Sequence, residues 1–188
     1  MVIDEKGLIS AMKDAYKGEG YKLAVDEQGG IECVIIAAPL WTVVIRKSEL
    51  PRKVLGLIAE HTGEISLESG IAYQVKKKET QTEIFSLVLK EALDFHSGEK
   101  ARRILRRTSL VLGGYPLWQT ATEQKMVKLL PAHEDIMNWG QYLVRLIGDD
   151  LVMIDDEKSR VYVRCMPSKD GAETERLTHL AKVQWVAE

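Results

Sequence analysis

The chain has 188 residues, enough for one large domain or two small ones, since domains cluster at roughly 100–150 residues. Hydrophobic residues make up 45% of it and charged residues 29%, ordinary globular proportions that argue against disorder and against a coiled coil. Its 26 basic and 28 acidic side chains leave a net charge of −2, so no global field draws it to nucleic acid or anionic lipid, and any such binding has to be local.

The first residues, Met1 to Gly7, carry acids where a secretory signal carries basic residues, and a cytoplasmic location is expected. The longest apolar stretch, 33–41, is far shorter than a membrane span and is interrupted by Pro39, so no membrane partner is expected.

Helical spacing of Ile9, Met12, Ala15 and Tyr16 predicts a first helix over 4–17, stopped by Gly18 and Gly20. Residues 22–26 alternate like a strand. Gln28, Gly29 and Gly30 supply a hairpin turn, and 31–37 pairs back. Past Pro39, the β-branched run 41–45 predicts a third strand. Ser48 is placed to cap the next helix, with Pro51 in its first turn, Leu50, Val54, Leu57, Ile58 and His61 on one face, and Gly63 at its end. Ile71, Tyr73 and Val75 share one side of a short strand, and Thr80 with Glu83 has capping-box spacing ahead of a helix over 84–95. In element order alone, helix, three strands, helix, strand, helix, residues 4–96 resemble the secretion-chaperone type of fold, a resemblance of architecture that points to a chaperone-like or adaptor role.

Ser97 and Gly98 break the pattern, and a basic helix is predicted over 99–107. Residues 110–116 read as a short strand or irregular connection, and a second capping box at 120–123 precedes a helix that stops at Pro131. The strongest helical periodicity covers 132–147, closed by Gly148. A second hairpin joins 151–155 to 160–165 across 156–159, followed by a short helix near 173–180 and a last strand at 183–186. Antiparallel hairpins mixed with helices, without regular β-helix-β alternation, predict an α+β fold: an antiparallel sheet built from hairpins with helices packed on it. The division expected is a helix, three-strand, helix, strand, helix unit at 1–97 and a helical segment with hairpin and final strand at 98–188, either as two similar-sized lobes or sharing one core.

Chemistry-bearing motifs are sparse. Gly18 and Gly20 follow a helix, and Gly29 and Gly30 lie in a hairpin, the reverse of the strand-glycine-helix order that cradles phosphate. No two of the four histidines, His61, His96, His133 and His179, are spaced to share a metal ion. The two cysteines, Cys33 and Cys165, alternate in phase with apolar strand neighbours and read as buried small hydrophobes. His133, Glu134 and Asp135 form the most site-like cluster, but consecutive helical positions lie about 100° apart, so they do not converge without a distant segment. No cofactor, no metal and no catalytic residue is assigned.

Two surface features remain. On a helix over 99–107, Lys100, Arg102, Arg103, Arg106 and Arg107 would fan across one side as an anion or nucleic-acid patch. On a helix over 132–147, Trp139, Tyr142 and Leu146 would form a second stripe beside the core face, a candidate protein interface. The first functional reading is a non-enzymatic interaction module, self-associating or holding a protein partner through Trp139, Tyr142 and Leu146. The second is a nucleic-acid-associated regulatory protein that uses the arginines. The third is an enzyme whose site is assembled from scattered histidines and acids.

Overall fold

Successive strand side chains alternate between the two faces of one sheet, and several strands are buried on both faces. The computed structural model describes residues 1–63, 67, 69–77, 79–84, 102–183 and 185. In chain order these form α1 (Glu5–Lys17), β1 (Tyr21–Gln28), β2 (Ile31–Ala38), β3 (Trp41–Arg46), a 3-10 turn (Lys47–Glu49), α2 (Arg52–Thr62), β4 (Ile71–Lys76), β5 (Glu79–Ile84), β6 (Arg102–Leu112), β7 (Tyr115–Thr120), β8 (Met126–Lys128), α3 (Pro131–Glu134), β9 (Val144–Ile147), β10 (Leu151–Asp155), β11 (Ser159–Arg164) and α4 (Gly171–Ala181). The fold is α+β. An 11-stranded sheet runs in the order β5-β4-β1-β2-β3-β11-β10-β9-β6-β7-β8, with every pair antiparallel. Pairing of β3 with β11 joins the two parts of the chain in that sheet.

The inner face carries Leu23, Val25, Val34, Ile36, Val43, Ile45, Val161, Val163, Val152, Ile154, Val144 and Leu146 in cross-strand register, with α1 and α2 against it through Leu8, Met12, Val54 and Leu57. Burying each such side chain is worth about 1.5–3 kcal/mol. The outer face has its own apolar middle, including Ala24, Ile35, Val44, Ala72, Met153 and Tyr162. At the β8 end, α4 lies on that face through Leu177, Leu180 and Ala181 against Leu117 and Met126. Lys128, 2% exposed, reaches Glu173 of α4 at 2.7 Å. Gln119 donates to the carbonyls of Ala181 and Val183, which ties the end of α4 to β7. No helix among the described residues is long and apolar enough to cross a membrane.

The first third follows its local signals. Asp4 caps α1 by accepting from the Gly7 amide at 2.8 Å, and Gly29 and Gly30, at φ 59° and 81°, make the left-handed turn a two-residue hairpin needs. Pro51, rather than Ser48, is the cap residue of α2, and no side-chain cap bond forms there.

Past residue 76, several expectations fail in the same direction. The capping-box residues Thr80 to Glu83 lie in β5, paired with β4, and the helix expected beyond 84 falls outside the described residues. From 102 onward the predicted basic helix is strand β6, paired with β9 and β7. The helix expected from 120 to Pro131 is instead the end of β7 and β8. Within 132–147 only the last three residues of α3 are helical, and the end of that run is β9. Val183 and Trp185 belong to no strand. In β6, β8 and β9 cross-strand pairing with partners outside the local run overrides local helical spacing.

Candidate interaction surface

The segment between α3 and β9 reaches its place through the chain's first residues. Asp4 donates its amide to the carbonyl of Ile136 at 2.9 Å, and Asn138 donates to that of Val2 at 2.7 Å. Gly7 makes the approach possible: a Cβ there would lie 1.8 Å from the Asp135 carbonyl oxygen. Between α1 and this segment runs an open groove of about 490 Å³, with Lys6 and Ser10 on one wall and Asp135, Asn138 and Trp139 on the other.

Trp139 is the largest apolar side chain at this groove and is 41% exposed. Its ring meets Trp118 edge-on, with centroids 5.6 Å apart and planes at 82°, an arrangement that suits the aromatic quadrupoles. Trp118, 1% exposed on β7, donates its indole N–H to Glu134 at 2.8 Å. Arg107 of β6 donates Nε to the same carboxylate oxygen at 2.6 Å, and Glu134 is itself only 8% exposed. A buried charge matched this way holds its neighbours in one geometry. Leu143, 47% exposed, stands four residues beyond Trp139.

The stripe expected from helical spacing is therefore not assembled as a stripe. Trp139 faces solvent. Tyr142 is half-buried, and its hydroxyl accepts from the α-amino group of Met1 at 2.8 Å. That hydrogen bond, strengthened by Asp156 at 3.1 Å, raises the amino group's pKa. Leu146 is fully buried on β9, opposite Arg103 and Val152. The support that Trp118, Glu134 and Arg107 together give Trp139 was missed by the helical reading. Gly113 and Gly114, which turn β6 into β7 at φ 60° and 86°, were the sequence signal that would have revealed a hairpin there.

The arginines also separate, because a strand alternates where a helix fans. Arg103 and Arg107 point to the inner face. Arg103 meets Glu123 at 2.7 Å and Asp149 at 3.0 Å and donates to the Gly148 carbonyl. Burial opposes its charge, but the bonds to Glu123 and Asp149 outweigh that and raise its pKa. Arg102 and Arg106 are exposed on the outer face, and Lys100 lies outside the described residues. Register places Arg102 across from Ile147 and Arg145 across from Ile104, so Arg145 of β9, Arg160 of β11 and Arg46 of β3 share the outer face with Arg102 and Arg106. These three were not recognised from spacing, since register alone unites them.

His133, Glu134 and Asp135 do not converge: Glu134 points inward to Trp118, and Asp135 is exposed. Burial lowers the His133 pKa, and its Nδ1 has no hydrogen-bond partner among the described residues. His61, 9% exposed, stacks on Tyr16 at 3.8 Å and shares a 3.1 Å hydrogen bond with the Tyr21 hydroxyl. His96 lies outside the described residues. Cys33 belongs to the outer apolar cluster, whereas Cys165 follows β11 and packs on the inner one, so the sheet separates the two free thiols. Burial pushes the Cys165 thiol up to about 12. No group of three or more potential metal ligands occurs among the described residues. The chain matches no protein-family model, no curated protein and no solved structure.

Proposed function

We propose that the protein is a non-enzymatic interaction module that holds a protein partner at the groove beside α1, with Trp139 as its anchor. The observation that carries this reading is a solvent-facing indole backed by a buried Trp118 that is itself hydrogen-bonded to the Glu134–Arg107 ion pair. A tryptophan held in one geometry loses little further freedom when a partner covers it, and interface anchors are enriched in this residue. Asp4 is already occupied as the α1 cap, which leaves Lys6 and Asp135 to select a partner's polar groups along the rim.

Trp139→Ala tests the proposal. Losing the edge-on contact costs about 1 kcal/mol of stability, so the variant folds. Capture from a source extract on full-length wild type and on the variant is then compared, alongside native mass. A stoichiometric protein, or a second copy of the chain, held by wild type and lost with Trp139→Ala supports the reading. A partner held equally by both removes the groove as its site.

A second reading, nucleic-acid association, draws on the register that sets Arg46, Arg102, Arg145 and Arg160 on one sheet face. Arg145 is already matched by Asp155 at 2.6 Å, which weakens that face as a continuous phosphate track. Retention on a nucleic-acid resin at low salt that falls with Arg102→Gln but not with Trp139→Ala would favour it.

A further inference from the structure

At the rim of the outer face, beside the β10–β11 turn, lies a smaller cleft of about 140 Å³, lined in part by Cys33, Val44, Arg46, Glu157, Lys158 and Arg160. Register sets Cys33 directly across from Arg46, and Val44 across from Arg160. The two arginines are thus diagonal neighbours on adjacent strands and share a face. Diagonal positions lie roughly 7–8 Å apart, which lets two long guanidinium side chains reach one small ligand.

Around the cleft Lys158 and Asp156 are matched, whereas Arg46, Arg160 and the exposed Glu157 have no ion pair among the described residues. Lys158 is matched by Glu49 at 3.2 Å. Asp156 accepts from the amides of Lys158 and Ser159 at 2.9 and 2.7 Å and from the Ser159 hydroxyl at 3.0 Å, and it also pairs with the Met1 amino group at 3.1 Å. Arg160 donates to the Tyr162 hydroxyl at 3.3 Å, which steadies its side chain. Burial pushes the Cys33 thiol up and Arg46 pulls it down; Asp26, directly across from Cys33 on β1, pushes it up and Arg160 pulls it down, so both guanidinium groups and one carboxylate act on the cleft floor.

We infer that this cleft binds a phosphoryl group carried by a small phosphate monoester. Two guanidinium forks match a tetrahedral dianion in charge and geometry, whereas a carboxylate would match one. Cys33 and Val44 give the site an apolar floor that excludes water on one side. The site is independent of the Trp139 groove, and either stands if the other fails.

The test is calorimetric titration of inorganic phosphate, and of phosphoserine, into the full chain at low salt. Saturable binding is expected, weakened at least about fivefold by Arg46→Gln and by Arg160→Gln, because each removes a charge-assisted pair. Glu157→Gln tightens it by removing a repelling carboxylate. Absent saturable heat, or equal binding by the Arg46→Gln and Arg160→Gln double variant, overturns the inference. Should the variants unfold, amide shifts in the wild-type chain decide: changes confined to 31–33, 44–46 and 157–160 support the site, and changes elsewhere or none overturn it. A short oligonucleotide that binds there more tightly than phosphoserine also overturns it, since the ligand would then be a polymer.

Discussion

One strand, β6, supplies arginines to both faces of the sheet, and the two faces treat them differently. On the inner face Arg103 and Arg107 are taken largely out of water, and each meets a fixed acid, Glu123 with Asp149 or Glu134. On the outer face Arg145 and Arg164 meet Asp155 and Asp150, while Arg46, Arg102 and Arg160 have no ion pair among the described residues. The difference follows from desolvation: a guanidinium removed from water is costly unless paired, whereas one at a wet surface keeps its hydration. Adjacent arginines on a strand are therefore not one patch. Alternation divides them into a pair held by acids on the inner face and a pair exposed on the outer one.

The contrast breaks most visibly at Glu134. Glu134→Ala leaves Arg107 and the indole N–H of Trp118 facing an interior without their shared acceptor, and a loss of about 3 kcal/mol is expected. Urea unfolding measures it, and a loss below about 1 kcal/mol would show that the inner pair is dispensable. Gly7→Ala follows. Alanine gains about 1 kcal/mol of helix propensity over glycine, yet its Cβ would meet the Asp135 carbonyl oxygen at 1.8 Å. The segment bearing Trp139 must then shift, at a net cost of about 2 kcal/mol. A stabilised Gly7→Ala variant would mean that α1 does not set the groove's width.

The inner side also carries a pH dependence. Burial lowers the His61 pKa; Glu60 opposes that shift and Lys13 adds to it, with Tyr16 stacked on the ring and Tyr21 bonded to Nδ1. His133 is lowered by burial as well. The unfolded chain, whose histidines titrate near 6.5, takes up these protons before the folded one does. Stability is therefore full above about pH 6.5 and falls as the pH drops toward the folded-state values. Unfolding midpoints at pH 7.5, 6.5 and 5.5 test the sign, with His61→Phe flattening the slope. A midpoint that rises on acidification contradicts the burial of both rings.

Much of the first third was legible because its signals are local. Gly29 and Gly30 between alternating runs make a hairpin whatever lies elsewhere, and Asp4 caps α1 with an amide three residues away. The same Gly-Gly signal stands at Gly113 and Gly114, but the run before it, Arg102 to Leu112, has helical spacing as well as strand alternation. What decides between them is the pairing of Ile104 with Arg145 and Leu105 with Val144, some forty residues on. Tyr142 and Leu146 were grouped with Trp139 by helical spacing and are separated by the turn into β9. Trp139 itself was legible as a candidate, but its support was not, since Trp118, Glu134 and Arg107 meet only through the tertiary fold.

The smallest expected effect is the sharpest test of the two faces, because it compares neighbours in sequence. Arg102 and Arg103 share composition, strand and near-identical sequence surroundings, so only the side of the sheet distinguishes them. Arg102→Gln should change stability by no more than about 0.5 kcal/mol, as exposed substitutions do. Arg103→Gln removes the cation between Glu123 and Asp149. Its partners stay partly hydrated, at 54% and 82% exposure, so the loss is held to about 1 kcal/mol. Equal losses in the two variants would mean that Arg102 is held by contacts as specific as those of Arg103, and the outer face would then be structural as well. A loss at Arg103 alone leaves the outer arginines free to be changed together, so a binding defect in such a variant could be read as binding and not as unfolding.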